Sequence, residues 1–155
     1  MRNVLVVSSQ ADAFAAIQKS LAAEYAVEDV STMGEALFLS DKKIYDVVFV
    51  DVALLGDKEN EENQKADFHR FWNTGTSSEI VVMSRKEGLR KTMQAIKAGA
   101  TDYVTLPIEP EEVRHVVTSI YRQMAARAEL QFLRDQFWQR DALDVIQTKH
   151  TELKK

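Results

Sequence analysis

Val47-Val48-Phe49-Val50-Asp51 is a run of consecutive apolar residues closed by a carboxylate. A continuous run rich in β-branched side chains, without the alternation of a half-exposed strand, is the pattern of a parallel strand covered on both faces. Val4-Leu5-Val6-Val7 and Ile80-Val81-Val82-Met83 repeat it. A weaker strand around Ala26 to Val30 and another at Asp102 to Thr105 bring the expected total to five, with helix-length segments between them. Strands alternating with helices in this way define a doubly wound α/β parallel sheet.

The intervening segments carry helix signals. Phe14, Ile17 and Leu21 share one face after Asp12, and Thr32 with Glu35 has capping-box spacing ahead of Ala36, Leu37 and Leu39. Leu89, Met93 and Ile96 form a further stripe, ended by Gly99 in the left-handed position that favours glycine. Pro110 suits the first turn of a helix, Glu111 and Glu112 suit its positive end, and Val113, Val116, Val117 and Ile120 are expected to face the sheet. The stretch from Leu55 to Ser78 is the least regular. Its acidic cluster, Asp57, Glu59, Glu61 and Glu62, precedes Phe68, Phe71 and Trp72 and reads as a solvated loop followed by a short helix. A calcium loop there would need alternating oxygen ligands and a glycine at the turn, which this run does not have.

Composition narrows the function classes. A chain of 155 residues with 45% apolar composition supports one domain with a real core plus an appendage. With no cysteine, disulfide frameworks, thiolate metal sites and thiol redox chemistry are excluded. No apolar stretch has the length of a membrane span, so a soluble, cytoplasmic protein without membrane attachment is expected. A net charge of -4 gives no overall pull toward nucleic acid, and direct nucleic-acid binding by this segment is not expected. His69, His115 and His150 are isolated in sequence and read as non-metal residues.

Several landmarks carry a family resemblance: Val4 to Val7 followed by Ser8-Ser9, Asp51 after the third strand, Ser84 after the fourth, and Ala98-Gly99-Ala100-Thr101-Asp102-Tyr103-Val104-Thr105-Leu106-Pro107. In order and spacing they resemble a response-regulator receiver domain of two-component signalling, over about residues 1–124. The resemblance implies the five-stranded, flavodoxin-like receiver fold, with residues 125–155 as a helical extension. It also implies that Asp51 stands where the family's phosphoacceptor stands, Ser84 where a hydroxyl moves toward the phosphoryl group, and Tyr103 where an aromatic follows. Leu106-Pro107 matches a bond that is usually cis in the family.

The same resemblance exposes what is missing. The family holds magnesium with the acceptor and an acidic pair after the first strand, and Ser8 and Ser9 occupy that place. Neutral hydroxyls do not replace carboxylates around a hard dication, so magnesium binding is expected to be weak or absent, and no other cofactor is implied. The family's lysine before the proline is Leu106 here. Phosphoryl transfer depends on positioning and on charge neutralisation, so this degenerate pocket points away from phosphorylation as the normal switch. Asp51 then serves as a cap or hydrogen-bond acceptor. No catalytic residue is assigned: no glycine-rich phosphate loop follows the first strand and no nucleophile has a base beside it, so the chain is not expected to be an enzyme.

Arg85, Lys86, Arg90 and Lys91 begin at the mouth of this pocket. They read as solvated helix charge, as a site for an anion or an acidic partner, or, more sharply, as the source of a cation that neutralises Asp51 permanently. The last reading requires Arg85 or Lys86 to lie near Asp51.

From Met124 onward no glycine or proline interrupts the chain, and the helix opened at Pro110 is expected to continue. Ala126, Leu130, Leu133 and Phe137 follow the three-four spacing of a coiled-coil seam, out of phase with the Val113 to Ile120 stripe. The seam serves a homodimer or folds back on its own domain. Asp144-Val145-Ile146-Gln147-Thr148 and Leu153-Lys154-Lys155 resemble, over a short span, the linker that joins receivers to the ATPase domain of sigma-54-dependent enhancer-binding activators. The expectation is an atypical receiver acting by contact and dimerisation on an attached or partner transcription-activating effector. The alternatives are a weak Asp51 phosphoacceptor of a two-component system, served by a sensor kinase, and a receiver-like sensor of a small ligand.

Overall fold

The computed structural model describes residues 2–21, 24–55 and 78–153, with side chains as far as residue 139. The expected acidic loop and short helix fall in 56–77, outside the described residues, as do the side chains of Leu143, Val145, Ile146 and His150. The strands are β1 (Arg2–Val7), β2 (Tyr25–Val30), β3 (Val47–Asp51), β4 (Glu79–Ser84) and β5 (Asp102–Thr105). The helices are α1 (Ala11–Ser20), α2 (Met33–Lys42), α3 (Leu89–Ala98) and α4 (Pro110–Leu153). Short 3-10 turns occupy Val52–Leu55 and Lys86–Gly88.

All strand pairs are parallel, in the order β2-β1-β3-β4-β5. Val4 lies opposite Val47, and Val50 opposite Val82. The continuous apolar runs are therefore the three inner strands, and Val4 to Val7, Val47 to Val50 and Val81 to Met83 are fully buried. Burying a side chain of this size is worth about 1.5–3 kcal/mol relative to exposure, so these strands dominate the core. Because the strand order reverses between β1 and β3, the crossovers leave in opposite directions there and open a crevice at the carboxyl ends. Ser8, Asp51, Ser84 and Leu106 all stand at or just beyond those ends.

The capping box on α2 forms with one shift. Glu35 donates its backbone N–H to Thr32 Oγ1 at 3.2 Å, while the Glu35 carboxylate accepts from the N–H of Ser31 at 3.4 Å. Pro110 opens α4 with Glu111 and Glu112 in its first turn, and Val113, Val116, Val117 and Ile120 are buried as expected. Gly99 ends α3 at φ 123°.

The α3 stripe needs correction. Its buried residues are Thr92, Ala95 and Ala98, whereas Leu89 and Met93 are exposed and Ile96 is half-buried. Small side chains let the helix backbone approach the sheet closely, and the larger residues of the expected stripe turn to the rim and to solvent. On α1 the expected face is shared by Ala13 and Ile17, with Phe14 half-buried and Leu21 buried just past the helix end.

The chain divides into two compact units, Met1–Val117 and Thr118–Lys155, and α4 contributes to both. Within the second, Leu130, Phe132, Leu133, Phe137 and Trp138 are exposed. No described helix is long and apolar enough to cross a membrane.

Candidate functional site

Asp51 closes β3 with only 2% of its surface exposed. A carboxylate at that depth needs partners, because an unpaired buried charge is costly. Its Oδ1 accepts a hydrogen bond from the N–H of Ala53 at 3.0 Å, the local pattern by which an aspartate satisfies the backbone two residues on. The same oxygen lies 3.6 Å from Arg85 Nη1. This is a close ion pair rather than a hydrogen bond. The requirement for a cation beside Asp51 is thus met by Arg85, while Lys86 lines a separate groove that does not include Asp51.

The flanking positions carry little charge. Ser8 is buried, and its Oγ accepts from the N–H of Gln10 at 3.1 Å and sits 3.3 Å from the Gln10 carbonyl. The hydroxyl is committed to the turn into α1. Ser9 is exposed. Leu106 is half-buried, donates its N–H to the Ser84 carbonyl at 2.8 Å, and precedes Pro107 through a cis peptide bond. Among the described residues no group of three or more histidine, cysteine, aspartate or glutamate side chains is placed to hold a metal ion, and His115 is exposed on α4.

Ser84, at the end of β4, is buried and donates to the Arg85 carbonyl at 3.0 Å. Tyr103 lies beside Val82 in the sheet register and is 41% exposed. The structure therefore brings Asp51, Arg85 and Ser84 to one edge, with Ser8 and Leu106 at neighbouring strand ends and Tyr103 within β5, outside that cluster. The seam residues Ala126, Leu130, Leu133 and Phe137 belong to the second unit and are exposed.

Arg85 borders two recesses. One, of about 270 Å³, is lined by Asp51, Ala53, Met83, Gly88 and Lys91. The other, of about 550 Å³, is lined by Gln10, Asp12, Lys86, Leu106, Pro107 and Ile108.

Sequence reasoning did not single out Gly88. A Cβ at that position would stand 3.3 Å from Ser84 Oγ, so the 3-10 turn packs tightly over the serine. The only cue was a glycine just after the basic pair. It also missed a brace on the outer strand, where Lys43 Nζ lies 2.7 Å from Glu28 and the buried Tyr45 hydroxyl donates to the same carboxylate. Lys43, followed by Tyr45, holds the Glu28 carboxyl below its usual range, whereas burial and then Glu28 push the Tyr45 phenol up. Glu28 is 15 and 17 residues from Lys43 and Tyr45, and only the fold brings β2 beside the segment between α2 and β3.

No family model matches the chain. Over 106 residues it is 27% identical to the transcriptional regulatory protein PhoP of Escherichia coli K12, and 26% identical to the virulence transcriptional regulatory protein PhoP of Shigella flexneri. The matched region is 68% of this chain and 45% of each relative, so the chain spans less than half the length of the curated proteins it matches. Among solved structures, one described as a response regulator of Chloroflexus aurantiacus superposes with a TM-score of 0.64 at 25% identity, covering 77% of this chain and 96% of the other. The chemotaxis response regulator CheY4 of Vibrio cholerae gives 0.63 at 24%, covering 77% and 98%. NtrX of Brucella abortus shares the fold with a TM-score of 0.70 at 18% identity, covering 86% of this chain and 30% of NtrX. The sheet order, the aspartate and serine at the ends of β3 and β4, and these likenesses agree on one architecture, the five-stranded receiver fold found in two-component response regulators.

Proposed function

We propose that this receiver is a regulatory signalling and dimerisation module whose output does not depend on phosphorylation of Asp51. The observation that carries the reading is a solitary buried carboxylate: Asp51 faces a guanidinium, while the adjoining strand ends offer the hydroxyls of Ser8 and Ser9 and the apolar side chain of Leu106. Magnesium needs oxygen donors in near-octahedral array and usually one or two carboxylates with retained water, and this donor set is a poor match. Magnesium binding is accordingly weak or absent in this reading. A missing electrostatic partner in phosphoryl transfer costs about 3 kcal/mol, roughly a hundredfold in rate, and both the metal-binding pair and the lysine are replaced. The module is not an enzyme. It acts on an attached or partner effector, and the PhoP relatives, named as transcriptional regulators, support an effector of that class. For the sigma-54-dependent kind the support is the linker resemblance in 144–155.

Intact mass after incubation with magnesium and a small acyl-phosphate donor tests the reading, with Asp51→Asn as the control and sizing chromatography on each sample. The expected result is no adduct and an assembly state unchanged by the donor. An Asp51-dependent adduct that alters assembly would instead establish the competing reading, a slow phosphoacceptor, for which the retained Asp51 and Ser84 speak.

A further inference from the structure

We infer that Arg85 is a resident counter-charge that latches the turn between β4 and α3 onto Asp51, so that this turn is held by an internal ion pair in place of a phosphoryl group. The inference rests on the reading of Asp51 as a contact acceptor and deepens it, because it names what holds the site and where that hold is transmitted. Both ends of Arg85 are engaged. Its guanidinium lies 3.6 Å from the buried Asp51 carboxylate, and its carbonyl accepts from Ser84 Oγ at 3.0 Å and from the Gly88 N–H at 2.9 Å. The Gly88 carbonyl in turn accepts from Thr92 Oγ1 at 2.9 Å, and Thr92 is fully buried in the first half of α3. A continuous series of polar contacts therefore runs from the end of β3, through Arg85 and Gly88, into α3.

Two further features make the arrangement a latch. The Ser84 hydroxyl is directed to the Arg85 carbonyl, so it is a strut of the turn, and a side chain at Gly88 would meet Ser84 Oγ at 3.3 Å, so the turn keeps its place over the serine only with glycine there. Asp51, buried at 2% exposure, has no other charged partner within ion-pair distance among the described residues, while Arg85 remains 38% exposed. Removing either charge therefore removes the same restraint. Lys86 takes no part, since no ion pair or hydrogen bond engages its ammonium group among the described residues.

Hydrogen exchange on the full chain, followed across 86–98, tests this with Asp51→Asn, Arg85→Gln and their double variant. Local opening reports the restraint that each group supplies, and a half-exposed ion pair to a buried carboxylate is expected to change it by about three- to tenfold. Each single variant is expected to accelerate exchange in this segment, and the double variant to do so no more than either single one. Arg85→Lys keeps the charge at shorter reach and is expected to fall between wild type and Arg85→Gln, which also preserves the comparison should Arg85→Gln lower overall stability. Unchanged exchange in the single variants, or additive effects in the double one, would overturn the latch. The mass measurement separates the two proposals: an acyl-phosphate adduct refutes phosphorylation independence and leaves the exchange cycle standing, whereas unchanged exchange without an adduct refutes the latch alone.

Discussion

Gly88 shows how narrowly the candidate site is fitted at the level of one residue. Its backbone is not in the left-handed region, so the demand for glycine is steric: a methyl group would stand 3.3 Å from Ser84 Oγ. Ser84 cannot yield freely, because its hydroxyl is bonded to the Arg85 carbonyl and its backbone is fixed in β4. Gly88→Ala is therefore expected to destabilise by about 1 kcal/mol despite alanine's better backbone entropy, within the range seen for mild overpacking. Ser84→Ala in the same chain should recover most of that loss, and urea unfolding of the two single variants and the double variant decides it. Glu28 offers a different residue-scale test. Hydrogen bonds from Lys43 and Tyr45 lower its carboxyl below the usual 4.5, so the ionised form is favoured in the folded state. That stability is present above 4.5 and lost as pH falls through the lower folded value. In Glu28→Gln this part of the acid-induced loss should disappear, and wild type and variant should converge in urea midpoint as pH drops from neutral to about 3.

At the scale of elements, α3 separates apolar character from burial. Met93 is exposed while Ala95 is fully buried, so the expected stripe and the real inner face disagree. Ala95→Leu should overpack the helix–sheet contact and cost about 1–3 kcal/mol, whereas Met93→Ser should stay within about 0.5 kcal/mol of wild type. Thermal unfolding of both variants distinguishes the faces, and the reverse ranking would restore the stripe. The contrast also explains what the amino-acid order made legible. The inner strands were readable because burial on both faces leaves no alternation, and the short, β-branched run of Val47 to Val50 favours a strand over a buried helix segment. The α4 start was readable because Pro110, two glutamates and a valine stripe agree. On α3 the helix and its glycine end were legible, but its face was not, because a close helix–sheet approach selects small residues that hydropathy does not mark. At the site, Asp51 and Ser84 were placed by their strand ends. The choice of Arg85 over Lys86 was beyond sequence, since adjacent residues leave a turn in different directions and only the backbone of the Lys86–Gly88 turn fixes which one meets Asp51.

At the scale of the whole molecule the open matter is what the long helix does with its second apolar stripe. Val113, Val116, Val117 and Ile120 are buried, while Ala126, Leu130, Leu133 and Phe137 are exposed. The seam alternates in steps of four and three residues, which keeps it on one side of a gently supercoiled helix. A short helical segment alone in water is marginal, because its hydrogen bonds barely offset the ordering of the backbone, so a seam with this pattern gains most from a second copy. In the dimerisation reading, Leu133 sits near the centre of the paired stripe, and Leu133→Asp exchanges a buried apolar contact for a charge facing its own symmetry mate. The expected penalty is at least ~3 kcal/mol, or roughly a hundredfold in dissociation constant. Sedimentation over a range of concentrations should show a dimer for the wild type and a monomer for Leu133→Asp, with a parallel loss of helical circular dichroism as the unpaired segment frays. Gln131→Ala, off the seam, should leave both signals unchanged. A wild type that stays monomeric at every concentration, with its helical signal intact, would show that the stripe does not pair two copies and would leave the receiver to act as a single chain.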